Sequence, residues 1–222
     1  MREEGRLVRL SAGGVELEGD LVVPEGARGV VLFAHGSGSS RHSPRNRQVA
    51  RVLQGAGLAT LLIDLLTADE EVVDEATREL RFDIPMLAER LIGATRWLRA
   101  NPETAALRIG YFGASTGGGA ALVAAAGSPD EVGAVVSRGG RPDLAGAALP
   151  KVGAPTLLIV GGNDPVVIGM NEAAKEQMSA EVELVIVPGA THLFEEPGTL
   201  EEVARLARDW FLQHLAPGAA RE

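Results

Sequence analysis

The sequence predicts an α/β fold: a mostly parallel sheet of about eight strands flanked by helices, with no large lid domain. Short apolar, β-branched runs alternate with helix-length segments along nearly the whole chain. Strands separated by helices pair in parallel, because the helix is the crossover that returns the chain to the same end of the sheet. Glycine and proline are frequent (28 Gly and 12 Pro in 222 residues), as many short connections between strands and helices require.

The elements follow in order. Leu7 to Leu10 and Val15 to Val23 read as two antiparallel strands around Ala12-Gly13-Gly14. In the second, Val15, Leu17, Gly19 and Leu21 alternate with Glu16, Glu18 and Asp20, the period of a half-buried strand near a sheet edge. Gly29 to Ala34 is apolar enough for a central strand, Gln48 to Leu58 reads as a helix, and Ala59 to Leu66 as the next strand. The acidic stretch Asp69 to Glu79 suits a loop or a short solvated helix, and a longer helix covers Ile84 to Arg99, closed by Asn101-Pro102. The second half continues with strand Leu107 to Phe112, helix Thr116 to Ala126 and strand Val132 to Ser137. A turn at Arg138-Gly139-Gly140-Arg141-Pro142 leads to a short helical piece, then strand Thr156 to Val160 and helix Val166 to Met178. Strand Glu183 to Val187 and an amphipathic helix from Leu200 to Leu215 complete the series.

The reading is of one domain over residues 1–222, with a frayed tail from Ala216 to Glu222. A formal net charge of -9 argues against nucleic acid as a partner, since backbone binding needs concentrated positive charge. Cysteine is absent, which removes disulfides, thiolate nucleophiles and thiolate metal sites. The start, Met1-Arg2-Glu3-Glu4-Gly5, leads into no long apolar stretch, and no segment approaches the roughly 20 apolar residues of a membrane span. The expectation is a cytoplasmic protein, monomer or homodimer, with a small-molecule substrate, no membrane partner and no cofactor.

Gly113-Ala114-Ser115-Thr116-Gly117 stands where an apolar run gives way to a helix rich in glycine and alanine. A serine on such a sharp strand-to-helix turn is lifted clear of the sheet edge, beside main-chain N–H groups. Asp164 follows another strand, in Gly161-Gly162-Asn163-Asp164-Pro165, and His192 a third, in Gly189-Ala190-Thr191-His192. All three fall at the carboxyl ends of parallel strands, where such sheets place their ligands. A serine hydroxyl needs a base to remove its proton as it attacks. His192 is the candidate base, and Asp164 the carboxylate that fixes its tautomer. Asp64, also at a strand end, is the alternative acid. Read singly, Ser115 is a small residue in a tight turn, Asp164 a helix cap and His192 a loop histidine.

Thr116 N–H is one candidate oxyanion donor; the second comes from Ala34-His35-Gly36-Ser37-Gly38-Ser39, with Ser37 N–H preferred to Gly38 N–H. His35 suits orienting that loop better than proton transfer. Its glycines lack the Gly-Lys-Ser/Thr that would complete a phosphate-binding loop. His42 and His214 are expected to face solvent, and four histidines without clustered spacing offer no metal site. The island Arg41-His42-Ser43-Pro44-Arg45-Asn46-Arg47 lies near the mouth of the site, with Arg138 and Arg141 on another strand end. Arg41, Arg45 and Arg138 are candidate contacts for an anionic substrate; alternatively the arginines pair with Glu70, Glu71, Asp74 and Glu75. Thr67 to Arg81 and Arg138 to Val152 are the candidate pocket walls.

With Ala34-His35-Gly36-Ser37-Gly38, Gly113-Ala114-Ser115-Thr116-Gly117, Gly161-Gly162-Asn163-Asp164 and Gly189-Ala190-Thr191-His192 in this order, the chain resembles a compact α/β-hydrolase of the dienelactone-hydrolase-like family over nearly its whole length. The resemblance implies Ser115 as nucleophile, Asp164 as acid and His192 as base. Typical dienelactone hydrolases carry a cysteine nucleophile, whereas this chain has Ser115 and no cysteine. The expected activity is therefore hydrolysis of small carboxylic esters through an acyl-enzyme. The alternatives are a lactone or dienelactone-type hydrolase of carboxylated substrates, and a non-catalytic binding protein on the same fold.

Overall fold

The computed structural model describes residues 5–216. In chain order the elements are β1 (Arg6–Ala12), β2 (Val15–Val22), β3 (Val30–Ala34), α1 (Pro44–Gly55), β4 (Ala59–Ile63), α2 (Ala68–Thr77), α3 (Ile84–Ala100), β5 (Ile109–Ala114), α4 (Thr116–Gly127), β6 (Val132–Arg138), β7 (Thr156–Gly161), α5 (Pro165–Gln177), β8 (Val182–Val187) and α6 (Thr199–Leu215). Short 3-10 segments lie at Leu80–Phe82 and Pro142–Lys151. The strands form one eight-stranded sheet in the order β1-β2-β4-β3-β5-β6-β7-β8. β2 runs antiparallel to β1 and β4, and every other pairing is parallel.

Strand alternation sorts the apolar residues into two cores, one on each face of the sheet. Val30, Leu32 and Ala34 of β3 pack with Leu87, Leu91 and Leu98 of α3 and Ala120, Ala121 and Ala124 of α4. Their neighbours Val31 and Phe33 point the other way, to Val49 and Leu53 of α1 and Val203, Ala207 and Phe211 of α6. The Phe33 and Phe112 rings lie 4.9 Å apart on that second face. β3, β4, β5 and β7 are buried at every position, so their carboxyl ends form a rigid edge on which the loops can place chemistry.

Several boundaries differ from the sequence reading, each for a local reason. α1 starts at Pro44 because Ser43 Oγ accepts the Asn46 N–H and proline suits the first helical turn. β4 stops at Ile63 rather than Leu66, since the Leu65 N–H is given to His35 Nε2 at 3.0 Å. The acidic stretch is a true helix, α2, started by a reciprocal capping box between Thr67 and Glu70. Arg78, with φ of 59°, ends it. His214 does not face solvent: its ring packs 4.4 Å from that of Trp210, and its side chain is only 12% exposed. Burial there lowers its affinity for a proton, with Glu181 opposing. No described helix is long and apolar enough to cross a membrane. The expected frayed tail lies, past Ala216, outside the described residues.

Candidate active site

Ser115 is the residue between β5 and α4, and its backbone is forced into an unusual conformation, φ 52° and ψ -121°. Such a turn exists only where the surroundings hold it. The Ser115 N–H donates to the Arg138 carbonyl at 3.2 Å, and the Ser115 carbonyl accepts from Gly118 and Arg141. Glycine is required on both sides. A Cβ on Gly113 would stand 2.5 Å from Gly118 Cα, and one on Gly117 2.3 Å from the Ala34 carbonyl oxygen. The motif's glycines are thus contact points at which strand, helix and the loop after β3 close on one another.

The same sheet edge brings Asp164 and His192 to the serine. His192 Nε2 is 3.3 Å from Ser115 Oγ, and His192 Nδ1 is 2.8 Å from Asp164 Oδ2. Asp164 occupies the N-cap position of α5 yet makes no capping hydrogen bond with its side chain; its carboxylate serves the imidazole instead. A carboxylate on Nδ1 fixes the proton there and leaves Nε2 free to accept one from the hydroxyl. Asp64, the alternative acid, is committed elsewhere: it accepts from the Arg41 main-chain N–H at 2.7 Å and from the Arg41 guanidinium.

Beside the serine, Gly36 to Ser39 forms a tight turn closed by a Ser39 N–H to Gly36 carbonyl bond of 3.2 Å, with Gly38 at φ 67°. His35 anchors this turn. Its Nε2 accepts the Leu65 N–H, so its proton sits on Nδ1, 2.9 Å from the Gly36 carbonyl. Burial lowers the proton affinity of His35, against the pull of the Gly36 carbonyl and Asp64, and the ring is held neutral as the loop requires.

A cavity of about 280 Å³ opens alongside, lined by His35 to Ser40 and Thr116 on one side and by Leu65, Leu66 and Leu87 on another. Glu71, Asp74, Glu75 and Arg81 form the remaining wall. Ser115 and His192 are not part of this lining; Thr116, next to the serine, joins cavity and relay. Of the two expected pocket walls, Thr67 to Arg81 contributes and Arg138 to Val152 does not. The latter packs on α4 and α5, where Asn171 donates to the Gly140 carbonyl at 3.1 Å. Arg81 is neutralised by Asp74 through a 2.6 Å bond. Burial and the nearby Asp64 and Glu75 raise the Glu71 carboxyl above its usual range. Leu65, Leu66 and Leu87 carried no sequence signal beyond their place in apolar runs.

The arginines do not converge as one rim. Arg41 is sequestered among Glu18 at 2.9 Å, Asp20 at 3.5 Å and Asp64, not paired with the acids of α2. Arg47 also binds Asp20, and Arg141 binds Asp143. Arg45 and Arg138 remain close to each other, packed between α1 and the loop after His192. Among the described residues no group of three histidine or acidic side chains is arranged to hold a metal ion.

An eight-stranded, mostly parallel sheet with a strained serine turn between strand and helix defines the α/β-hydrolase fold. Residues 17–215 match the model of the dienelactone hydrolase family, and the chain belongs to that family. A crystal structure of a dienelactone hydrolase from Anabaena variabilis is 66% identical, with a TM-score of 0.94 over 96% of this chain and 98% of that one. Est1E from Butyrivibrio proteoclasticus shares the fold at 18% identity and a TM-score of 0.77, over 94% and 98% of the two chains. Curated relatives from Mycobacterium tuberculosis, whose name includes "phosphoribosyl transferase", are 62% identical over 212 residues. The match takes in 95% of this chain and 47% of theirs, so the chain spans about half their length.

Proposed function

We propose that the protein hydrolyses small carboxylic esters through an acyl-enzyme on Ser115. The observation that carries this reading is the continuous relay from Ser115 Oγ through His192 to Asp164, at 3.3 and 2.8 Å. A serine–histidine contact at the long end of the hydrogen-bond range is usual before substrate binds and tightens as the reaction proceeds.

In the proposed sequence, Ser115 Oγ attacks the ester carbonyl carbon as its proton passes to His192 Nε2. The carbonyl π electrons move onto oxygen, and that oxyanion is met by the main-chain N–H of Thr116 and of Ser37. Collapse of the intermediate expels the alcohol oxygen, which takes the proton from Nε2. Water then attacks the acyl carbon, losing its proton to Nε2; the Ser115 Oγ–acyl bond breaks, Nε2 returns that proton to Oγ, and the carboxylic acid leaves. Asp164 stays ionised throughout and stabilises the imidazolium. Each main-chain donor contributes on the order of 3 kcal/mol to the transition state. A small cavity lined by both leucines and polar side chains, with no large lid, favours short, water-soluble esters. Lactone opening is the second reading, favoured by the 66% identity to the Anabaena dienelactone hydrolase. It uses the same steps with the leaving alcohol tethered to the acyl group.

The test is intact mass after exposure to a fluorophosphonate. Wild type should gain one adduct, Ser115→Ala none, and His192→Ala only a slow trace. An unlabelled, folded wild-type protein that also fails to turn over short esters would favour the non-catalytic reading.

A further inference from the structure

Most arginines tethered at the folded surface of this protein have an acidic partner. Arg90, 2% exposed, is held by both carboxylate oxygens of Glu70 at 2.6 Å. Arg81, Arg99 and Arg141 each have an aspartate or glutamate within 2.9 Å. Arg138 is nearly as buried as Arg90, at 6% exposed, and forms no ion pair among the described residues. Its guanidinium lies over the Phe194 ring at 5.9 Å and donates one long bond, 3.4 Å, to Asn46 Oδ1. Its Nε is buried without a partner.

The charge acting on Arg138 is another cation. Arg45, beside Asn46 in the first turn of α1, repels it, and burial together with Arg45 lowers Arg138 to about 10. Arg138 therefore stays charged at neutral pH. Arg45 Nε is likewise buried and unpartnered, and Arg45 Nη1 reaches only the exposed Glu195, at 3.5 Å. A buried charge left without a counter-charge is among the costliest features a fold can keep. Arg138 is such a charge, and Arg45, one-third exposed and 3.5 Å from Glu195, adds a second cation to its surroundings.

We propose that Arg138 and Arg45 form a subsite for a phosphate group carried by the substrate. The proposal rests on the hydrolase reading of Ser115 and names the chemistry of what that site accepts. Arg138 is the last residue of β6, its carbonyl accepts the Ser115 N–H, and Phe194 beneath its guanidinium lies two residues past His192. A group held there is thus a neighbour of both serine and base. Donor geometry favours phosphate over carboxylate. Tetrahedral phosphate oxygens can accept from both guanidiniums at once, each able to offer a fork of N–H donors. Glu195 already brings one carboxylate to Arg45 and leaves Arg138 unpaired. The positive end of α1, twelve residues long, adds to the same field.

The first experiment is calorimetric titration of inorganic phosphate at pH 7.5 and constant ionic strength. Wild type and Ser115→Ala should bind one equivalent alike, while Arg138→Met and Arg45→Gln each weaken binding at least tenfold. Acetate should bind at least tenfold more weakly than phosphate. Folded wild type that takes up no phosphate, unchanged affinity in both arginine variants, or acetate binding as tightly overturns the subsite. The second arm compares two esters that differ only by a phosphate monoester on the alcohol. At least a tenfold higher kcat/KM for the phosphorylated ester, lost in Arg45→Gln, supports a substrate-borne phosphate; equal turnover overturns it in favour of free phosphate. Phosphate binding to Ser115→Ala together with no turnover of either ester would place the failure in the esterase reading and not in the subsite.

Discussion

Asp164 stands at the N-cap of α5 and gives its carboxylate to His192 Nδ1 at 2.8 Å, leaving the helix without a side-chain cap. Aspartate at a helix start ordinarily satisfies main-chain N–H groups and stabilises the helix by about 1 kcal/mol. Here that stabilisation is forgone for a contact 28 residues away in sequence.

Asp164→Asn should therefore cripple turnover while sparing the fold. The amide offers an N–H to Nδ1, which moves the ring proton to Nε2 and removes the base. A loss of about ten-thousand-fold in kcat is expected, with an unchanged far-UV spectrum and unfolding midpoint. Turnover within tenfold of wild type would remove Asp164 from the relay.

Ser37 provides a test of the proposed second oxyanion donor that does not disturb the turn. It occupies the second position of the Gly36–Ser39 turn, with the glycine that such turns require in third place. Proline is accepted at that second position and has no N–H to donate. Ser37→Pro should lower kcat about a hundredfold, whereas Ser37→Ala, which keeps the N–H, should not. Full activity in Ser37→Pro would transfer the role to Gly38 N–H.

Two glycine substitutions should act in opposite directions. A methyl on Gly117 meets the Ala34 and His35 carbonyl oxygens at 2.3 and 2.5 Å, so Gly117→Ala should destabilise by about 1–3 kcal/mol or more. Gly169, on the exposed side of α5, has nothing within 4 Å of such a methyl, and Gly169→Ala should stabilise by about 0.5–1 kcal/mol. Urea unfolding of the two variants reads both signs.

His35 makes stability depend on pH with a definite sign. Burial lowers its folded-state proton affinity below the ordinary value of 6.5. As pH falls through that value the unfolded chain takes up a proton that the folded chain refuses. Its share of stability is complete above about pH 6.5, declines as pH falls towards the lowered folded value, and then levels off. His35→Gln should flatten this part of the curve in urea titrations at pH 7.5, 6 and 5. An identical slope in variant and wild type would assign it to other groups.

The elements that could be read from the chain were those with a local cause. Alternation in Val15 to Leu21 marked β2, the apolar run before Gly113 marked β5, and Ser115, Asp164 and His192 each stood just past a strand. Two further local causes are written in the chain. Thr67 with Glu70 spelled the capping box that makes α2 a helix, and Ser43-Pro44 spelled the start of α1 inside what looked like a basic island. The partners of Arg41 had no local cause. Glu18, Asp20 and Asp64 meet it only because β2 pairs antiparallel with β4. The packing of His214 on Trp210 and the burial of Arg138 against Phe194 were likewise invisible one residue at a time.

The sequence by itself determined the order of strands and helices, the family, and the edge of the sheet on which the chemistry-bearing side chains lie. Periodicity and turn residues act over a few positions and are written directly in the chain. Tertiary structure alone decided that Asp164 and not Asp64 faces His192, that Arg41 is neutralised, and that Arg138 is buried without a counter-charge among the described residues. Those outcomes depend on which side chains meet across strands and loops distant in sequence. A charge is made costly or harmless by the neighbours that burial gives it.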